Sequence, residues 1–270
     1  MLGALDVYAQ NNQACIVSPF ILAGAMSPVT VTGTLTQVLC EVLAGAAFSQ
    51  LVRPGAPIIF GTFAANISMQ TGAPTFGTPE PALVLYGAAQ LARRTGLPFR
   101  SGGALCGSKA PDAQAAYESN ATIIPAVMGG VNFMLHSAGW MEGGLCASFE
   151  KLVLDVEMLQ HMIAFLDPIA TDENALAFEA MKDVPIGGHF FGTPHTLARY
   201  ETAFYQPMVS DWQNYEAWEL AGAKTATERA TVLWQQALDE YEEPTLDPVR
   251  AEALDAYVAT RKEAIGTGEP

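Results

Sequence analysis

Seven residues stand where this chain could do chemistry: Phe63, Phe76, Gly103, Lys109, His136, Trp140 and Glu142. All lie in small-residue or glycine-rich sequence that follows a short apolar run. His136 closes Phe133-Met134-Leu135, and Glu142 sits inside Gly139-Trp140-Met141-Glu142-Gly143-Gly144. Two readings fit His136, an acid/base group or a core histidine bonded to backbone. A carboxylate among apolar walls costs desolvation unless it is paired, and a bound cation would pair Glu142. Phe63, Phe76 and Trp140 would add cation–π contacts to that ligand, or serve as plain hydrophobic lids. Gly103 and Lys109 belong to the loop after the third apolar run and complete the same mouth. The candidates therefore divide into His136 and Glu142 for catalysis and the other five for substrate binding.

Other chemistries lack their residues. The histidines, at 136, 161, 189 and 195, form no HxxxH or HExxH spacing, so no zinc site is expected. Cysteines at 15, 40, 106 and 146 form no CxxC and read as free thiols. There is no GxSxG elbow, no GxGxxG and no Walker loop, which leaves a hydrolase or a nucleotide site without support.

The elements that must position these residues show as a repeated junction. Short apolar runs begin near residues 15, 57, 98 and 132, each entered through a Gly, Pro or polar stop. Between them the sequence predicts helices over 33–52, 79–95 and 111–128, and a fourth over 148–166. Their expected starts are Thr32, Thr78-Pro79-Glu80, Ser108 with Pro111, and Ser148. Apolar strands alternating with helices imply a parallel sheet under helices. After 166 only helices are expected, over 172–183, 212–221, 225–243 and 248–264. With 270 residues the chain has the length of a whole (β/α)₈ barrel, yet four strands make half of one. An open sheet is the other solution.

Composition limits the partners. The chain is 50% apolar and carries a net charge of −15. That acidity argues against nucleic acid and anionic membranes and suits a small cation. Residues 1–150 hold 5 basic and 7 acidic side chains, and residues 151–270 hold 8 and 21. The stretch 33–52 contains Gln37, Glu41 and Gln50 and reads as a buried helix, not a membrane span. Met1 to Asp6 show no basic n-region, and the expected compartment is the cytoplasm.

Several motifs, in order along nearly the whole chain, resemble the trimethylamine methyltransferase family. They are Ser18-Pro19 with Pro28-Val29-Thr30, Gln50-Leu51-Val52-Arg53-Pro54-Gly55-Ala56-Pro57, and Gly77-Thr78-Pro79-Glu80. Pro111-Asp112-Ala113-Gln114-Ala115-Ala116-Tyr117-Glu118, Gly188-His189-Phe190 and Trp218 with Ala221-Gly222 continue them. The resemblance implies a TIM barrel of which this chain matches only the C-terminal portion. Residues 1–166 would be the last four βα units, and 167–270 an acidic helical extension packed on them. It further implies methyl transfer from an amine to Co(I) of a corrinoid, a cofactor held by a partner protein and not by this chain. Archaeal trimethylamine members carry pyrrolysine and this chain has none, so the resemblance points to a quaternary amine such as glycine betaine. Half a barrel leaves open strand edges, so a homo-oligomer or a separate N-terminal half is expected as partner. The competing reading is a catalytically silent half-barrel or interaction subunit.

Overall fold

The computed structural model describes residues 1–266. Helix α1 (Leu2–Gln10) precedes β1 (Cys15–Val17) and β2 (Phe20–Ala23). Helix α2 (Val31–Val52) then leads to β3 (Ile58–Gly61), β4 (Phe63–Ile67) and β5 (Pro74–Thr75). Helix α3 (Pro79–Thr95), β6 (Phe99–Gly102), α4 (Ala113–Met128) and β7 (Phe133–Leu135) continue the alternation. A small hairpin of β8 (Trp140–Met141) and β9 (Cys146–Ala147) leads into α5 (Phe149–Leu166). Beyond it lie α6 (Glu173–Leu176), α7 (Phe178–Asp183), α8 (Pro194–Leu197), α9 (Tyr215–Leu220), α10 (Ala226–Asp239) and α11 (Pro248–Ile265). Among the described residues no strand follows β9.

The main sheet has the order β1-β3-β6-β7 and is parallel throughout. Strand order thus equals chain order, with one helix between neighbours and no reversal of winding. Ser18-Pro19 interrupts the first run, because proline has no N–H to give the ladder. The chain resumes as β2, which pairs parallel with β4, and β4 turns back antiparallel as β5. This second sheet stands directly beyond the ends of β1 and β3.

Packing follows the strand alternation. Val17, Phe60 and Phe99 share one face of the sheet, in register across β1, β3 and β6. They meet Val38 and Val42 of α2 and Ala88, Ala89 and Ala92 of α3 in the principal core. Small alanines on α3 let it lie close to the sheet, and Phe60 and Phe99 fill the space edge to face. Ile16, Gly61, Arg100 and Phe133 therefore occupy the opposite face. Gly61 is required there, since a Cβ would stand 2.7 Å from the Ser18 side chain.

The four expected strands and long helices appear within a few residues of their predicted bounds, and the differences concern caps and additions. Thr30, not Thr32, caps α2, accepting from the Gly33 amide at 3.2 Å. Thr78 makes no cap bond; its hydroxyl donates to Asn66 Oδ1 at 3.0 Å and ties α3 to β4. Asp112 rather than Ser108 caps α4, while Ser108 Oγ donates to that Asp112 carboxylate. Ser148 caps α5 as expected. Helix α2 is not the buried helix its composition predicts: Thr34, Val38, Val42 and Ser49 alone are buried. Among the described residues it is the one helix long and apolar enough to cross a membrane, yet its buried stripe lies on the sheet. The 172–183 helix is split at Ala177, which adopts φ +54°.

The chain divides into two compact units, Met1–Trp234 and Gln235–Pro270. Within the second, Asp247 caps α11 through the Val249 and Arg250 amides, and none of the helix is buried.

Candidate functional site

The segments that leave the C-terminal ends of β1, β3 and β7 bring a set of rings together. Phe63, the first residue of β4, is the hub. Phe20 stacks on it at 5.5 Å between centroids, and His136 meets it edge-on at 5.5 Å. Phe76 lies at 6.0 Å and Trp140 at 6.4 Å. Phe76 and Trp140 close the set in a T-shaped contact at 4.7 Å, and His136 is 6.1 Å from Trp140. Four of the seven residues singled out from the sequence therefore form one cluster.

Their supports are local. The β4–β5 hairpin carries Phe63 at one end and delivers Phe76 just past the other. Gly143 fits against the Phe76 ring and Gly144 against the Trp140 ring, each at positive φ where a side chain would collide. His136 has φ +56° and Glu142 φ +48°, a left-handed backbone that non-glycine residues seldom adopt. Such conformations persist where surroundings over-determine them, and they cluster at functional sites.

Arg100 of β6 is the feature the sequence reading did not single out. It is 5% exposed, and its guanidinium carbon lies 5.9 Å from the centre of the Phe63 ring. Its Nη1 donates to Ser18 Oγ at 3.1 Å and to the Thr62 carbonyl at 3.2 Å. Arg100 Nε and the neighbouring Thr62 Oγ1 are buried without a hydrogen-bond partner. Among the described residues no carboxylate lies within ion-pair distance of Arg100. Burial pushes its pKa down, yet guanidinium remains charged at any physiological pH. The signal was present in the sequence, as the one charged residue inside the buried strand Phe99-Arg100-Ser101-Gly102.

His136 responds to this setting. Desolvation by its neighbours, then the Arg100 charge, lowers its pKa, so the ring is neutral at pH 7. Its outer edge stays open to solvent.

The remaining candidates lie around the cluster. Glu142 donates its amide to the Ser108 carbonyl, and Gly143 donates to Cys106, which docks this loop on residues 106–108. The Glu142 carboxylate is half-buried, with Cys146 Sγ 3.8 Å from Oε2. Gly103 is buried where a Cβ would stand 2.8 Å from Ser137 Oγ, so it spaces the loops after β6 and β7. Lys109 is exposed and folds back onto the Gly107 carbonyl at 2.8 Å; it shares no contact with the rings. Glu118 organises the segment between them, accepting from the Gly107 and Ser108 amides at 2.7 and 3.1 Å.

Fold and site together describe an α/β protein that gathers aromatic faces over a buried guanidinium at its strand ends. The chain belongs to the trimethylamine methyltransferase family, whose sequence model matches residues 1–266. It is 40% identical over 266 residues to glycine betaine methyltransferase of Desulfitobacterium hafniense strain Y51, covering 98% of this chain and 55% of that protein. It is 32% identical to trimethylamine methyltransferase MttB of D. hafniense strain DCB-2, over 84% of this chain and 45% of that one. With MttB1 of Methanosarcina mazei the identity is 31%, over 86% and 46%. The chain spans about half the length of the curated relatives it matches.

Proposed function

We propose that this chain carries the methyl-donor site of an amine methyltransferase, and that its substrate is a quaternary ammonium compound bearing a carboxylate. The observation that supports this is the ring cluster of Phe63, Phe76, Trp140 and His136 beside the unpaired Arg100. A permanent organic cation is held by aromatic faces without needing a proton donor. A buried guanidinium beside it would repel a simple amine but pair with a carboxylate, and charge-assisted hydrogen bonds to a carboxylate are among the strong ones. The name of the 40%-identical relative is consistent with such a betaine. Glu142, on the loop that continues from Trp140, stands as the counter-charge to the ammonium end.

The acceptor in this reading is a corrinoid carried by a partner protein, whose reduced cobalt would supply the electron pair that takes up the methyl carbon. The C–N bonding pair stays on nitrogen and the amine leaves neutral, so no proton has to move. What the chain's own residues contribute is positioning and exclusion of water. His136 stays open to solvent on the side of the cluster where a flat macrocycle would approach.

Sheet order and the helices between its strands are compatible with a barrel sector, and we propose that a complementary half completes a (β/α)₈ barrel. Strands β1 and β7 are both edges. Phe133 and Phe20 are half-exposed, and an apolar groove of about 520 Å³ runs along β1 between Leu5, Tyr8, Ile16 and Ala44. Open edges and apolar faces favour association. Sedimentation of the chain alone is expected to show oligomers, and co-expression with a complementary half to give one defined complex. A stable 28.7 kDa monomer with cooperative unfolding would count against the barrel sector. If the assembled protein binds no amine, the silent-subunit reading, favoured by the half-length match, takes its place.

The test of the function is calorimetric titration of the assembled protein with glycine betaine, carnitine and trimethylamine. Trp140→Leu keeps an apolar wall but removes the strongest π face. It should weaken a betaine about 3- to 30-fold, from roughly 0.5–2 kcal/mol per cation–π contact. Equal affinity in that variant would move the ammonium away from the cluster.

His136 adds a pH dependence. Its folded pKa is depressed below the ordinary value of about 6.5, so folding favours the neutral ring. That stability is complete above pH 6.5 and is lost as the pH falls through the lowered folded value. Protonation would also place a second cation beside the ammonium. Betaine affinity should therefore fall on acidification below pH 6.5, and His136→Asn should flatten the profile. A wild-type profile already flat from pH 8 to 5 would place the His136 ring outside the ligand's reach.

A further inference from the structure

Behind the Trp140 wall lies a buried ion pair that touches none of the rings. Lys151 and Asp155, one turn apart on α5, are 1% and 3% exposed. Lys151 Nζ donates to both Asp155 oxygens at 2.5–2.6 Å and to Ser119 Oγ of α4 at 2.7 Å. Burying two charges is costly, and apolar residues of the same volume would serve stability as well or better. Burial pushes the Asp155 carboxyl up even beside Lys151, a sign of how dry the position is. What the pair does that an apolar core would not is present an anion to the chain just ahead of the cluster.

Asp155 Oδ2 accepts from the Gly139 amide at 2.9 Å. Gly139 has φ +79°, and Leu152 of α5 lies 3.3 Å from where its Cβ would be. Its carbonyl accepts from the Ser148 amide at 3.2 Å, so α5 and its cap grip both polar atoms of this one residue. The next residue is Trp140, whose carbonyl accepts from Cys106 Sγ at 3.1 Å. With the backbone fixed on both sides, the indole meets Phe76 at 4.7 Å.

We propose that Asp155, held in its charged state by Lys151 and Ser119, is a positioning residue of the methyl-donor site: it fixes the Gly139 amide and thereby sets Trp140 against Phe76. This rests on the reading of the ring cluster as the amine site. Asp155 acts only through the backbone and touches no ligand.

Removing one charge alone would leave the other buried and unpaired, so the informative variants remove both. Lys151→Met with Asp155→Asn keeps an oxygen that can accept from Gly139. Lys151→Met with Asp155→Leu keeps the volume and removes the acceptor. The full chain contains four tryptophans, so labelling with 5-fluorotryptophan gives four ¹⁹F resonances, and Trp140→Phe assigns one of them. In the Leu variant the Trp140 resonance should shift or broaden while the other three stay, and glycine betaine affinity in the assembled protein should fall about tenfold. The Asn variant should keep both near wild type. If the Trp140 resonance is unmoved in the Leu variant, the proposal is overturned. Should wild-type protein bind no betaine, the amine reading fails, and the resonance still decides the positioning role.

Discussion

Replacing Arg100 with Met should weaken binding of a betaine by about 30- to 5,000-fold and leave a simple methylated ammonium ion no worse bound. The magnitude follows from truncating one partner of a buried charged pair, typically 2–5 kcal/mol. The asymmetry follows from the structure: the guanidinium has a buried, unpartnered Nε and, among the described residues, no carboxylate within ion-pair distance. It also predicts the free protein's response. Without ligand, Arg100 is a desolvated cation beside Phe63, so an apolar substitute of similar length should leave stability unchanged or raise it. A gain in stability with a loss of binding is the signature of a residue kept for its ligand. Glu142→Gln is the companion measurement, since it removes charge at constant shape. It should weaken betaine and tetramethylammonium alike, whereas Arg100→Met should discriminate between them. If Arg100→Met weakens both ligands equally, the guanidinium supports the site's shape and meets no carboxylate.

The second large effect is expected at Gly77, immediately after Phe76. Its φ is +75°, and an added Cβ would stand 2.3 Å from Glu118 Cβ and 2.7 Å from Glu118 Cα. The second of these atoms is backbone within α4 and cannot swing aside. Left-handed backbone costs a non-glycine residue about 1–2 kcal/mol, and overpacking a filled site costs about 1–3 more. Gly77→Ala should therefore destabilise the protein by about 2–5 kcal/mol, seen as a lower urea midpoint at unchanged slope. Displacing Glu118 would also release the Gly107 and Ser108 amides, and with them the segment on which Trp140 and the Glu142 loop dock. A loss below about 0.5 kcal/mol would mean α4 has slack that its packing does not show.

Much of this was legible in the sequence because two strong signals coincide there. Glycine, proline or polar stops followed by short apolar runs mark β1, β3, β6 and β7. The cluster residues Phe63, Phe76, His136 and Trp140 were recognisable by position alone, as rings in the segments that leave strand ends. Lys109 was recognisable by the same rule and shares no contact with the rings, because position after a strand says nothing about which way a flexible side chain folds. Glu142 was found for its loop, although its conformation depends on the remote carbonyl of Ser108. Arg100 was visible as a charge within a strand, but not as part of the site. Within an apolar strand a lone arginine carries no period, and only the register with Gly61 and Phe133 shows which face it occupies. The strands β2, β4, β5, β8 and β9 were not foreseen, since each lies beside Gly, Pro or Thr in sequence that reads as a loop leaving a strand end. Asp155 and Lys151 read as an ordinary surface pair at helical spacing, and tertiary burial alone gives them a different part to play.

The sheet's order has a bearing on how the molecule comes into being. Each strand's parallel neighbour is the next one along the chain, so every pairing closes over a single helical crossover of roughly 30–40 residues. Loop-closure entropy grows only with the logarithm of that length, so the three closures cost much the same and none must wait for a distant segment. A nascent chain can then add one strand and one helix at a time to a ledge already made. The middle strands are the ones tied on both sides, with Phe60 donating to Pro98 and Asn132 donating to Phe99. Amide exchange should be slowest there and fastest at β1 and β7, the two edges of the sheet.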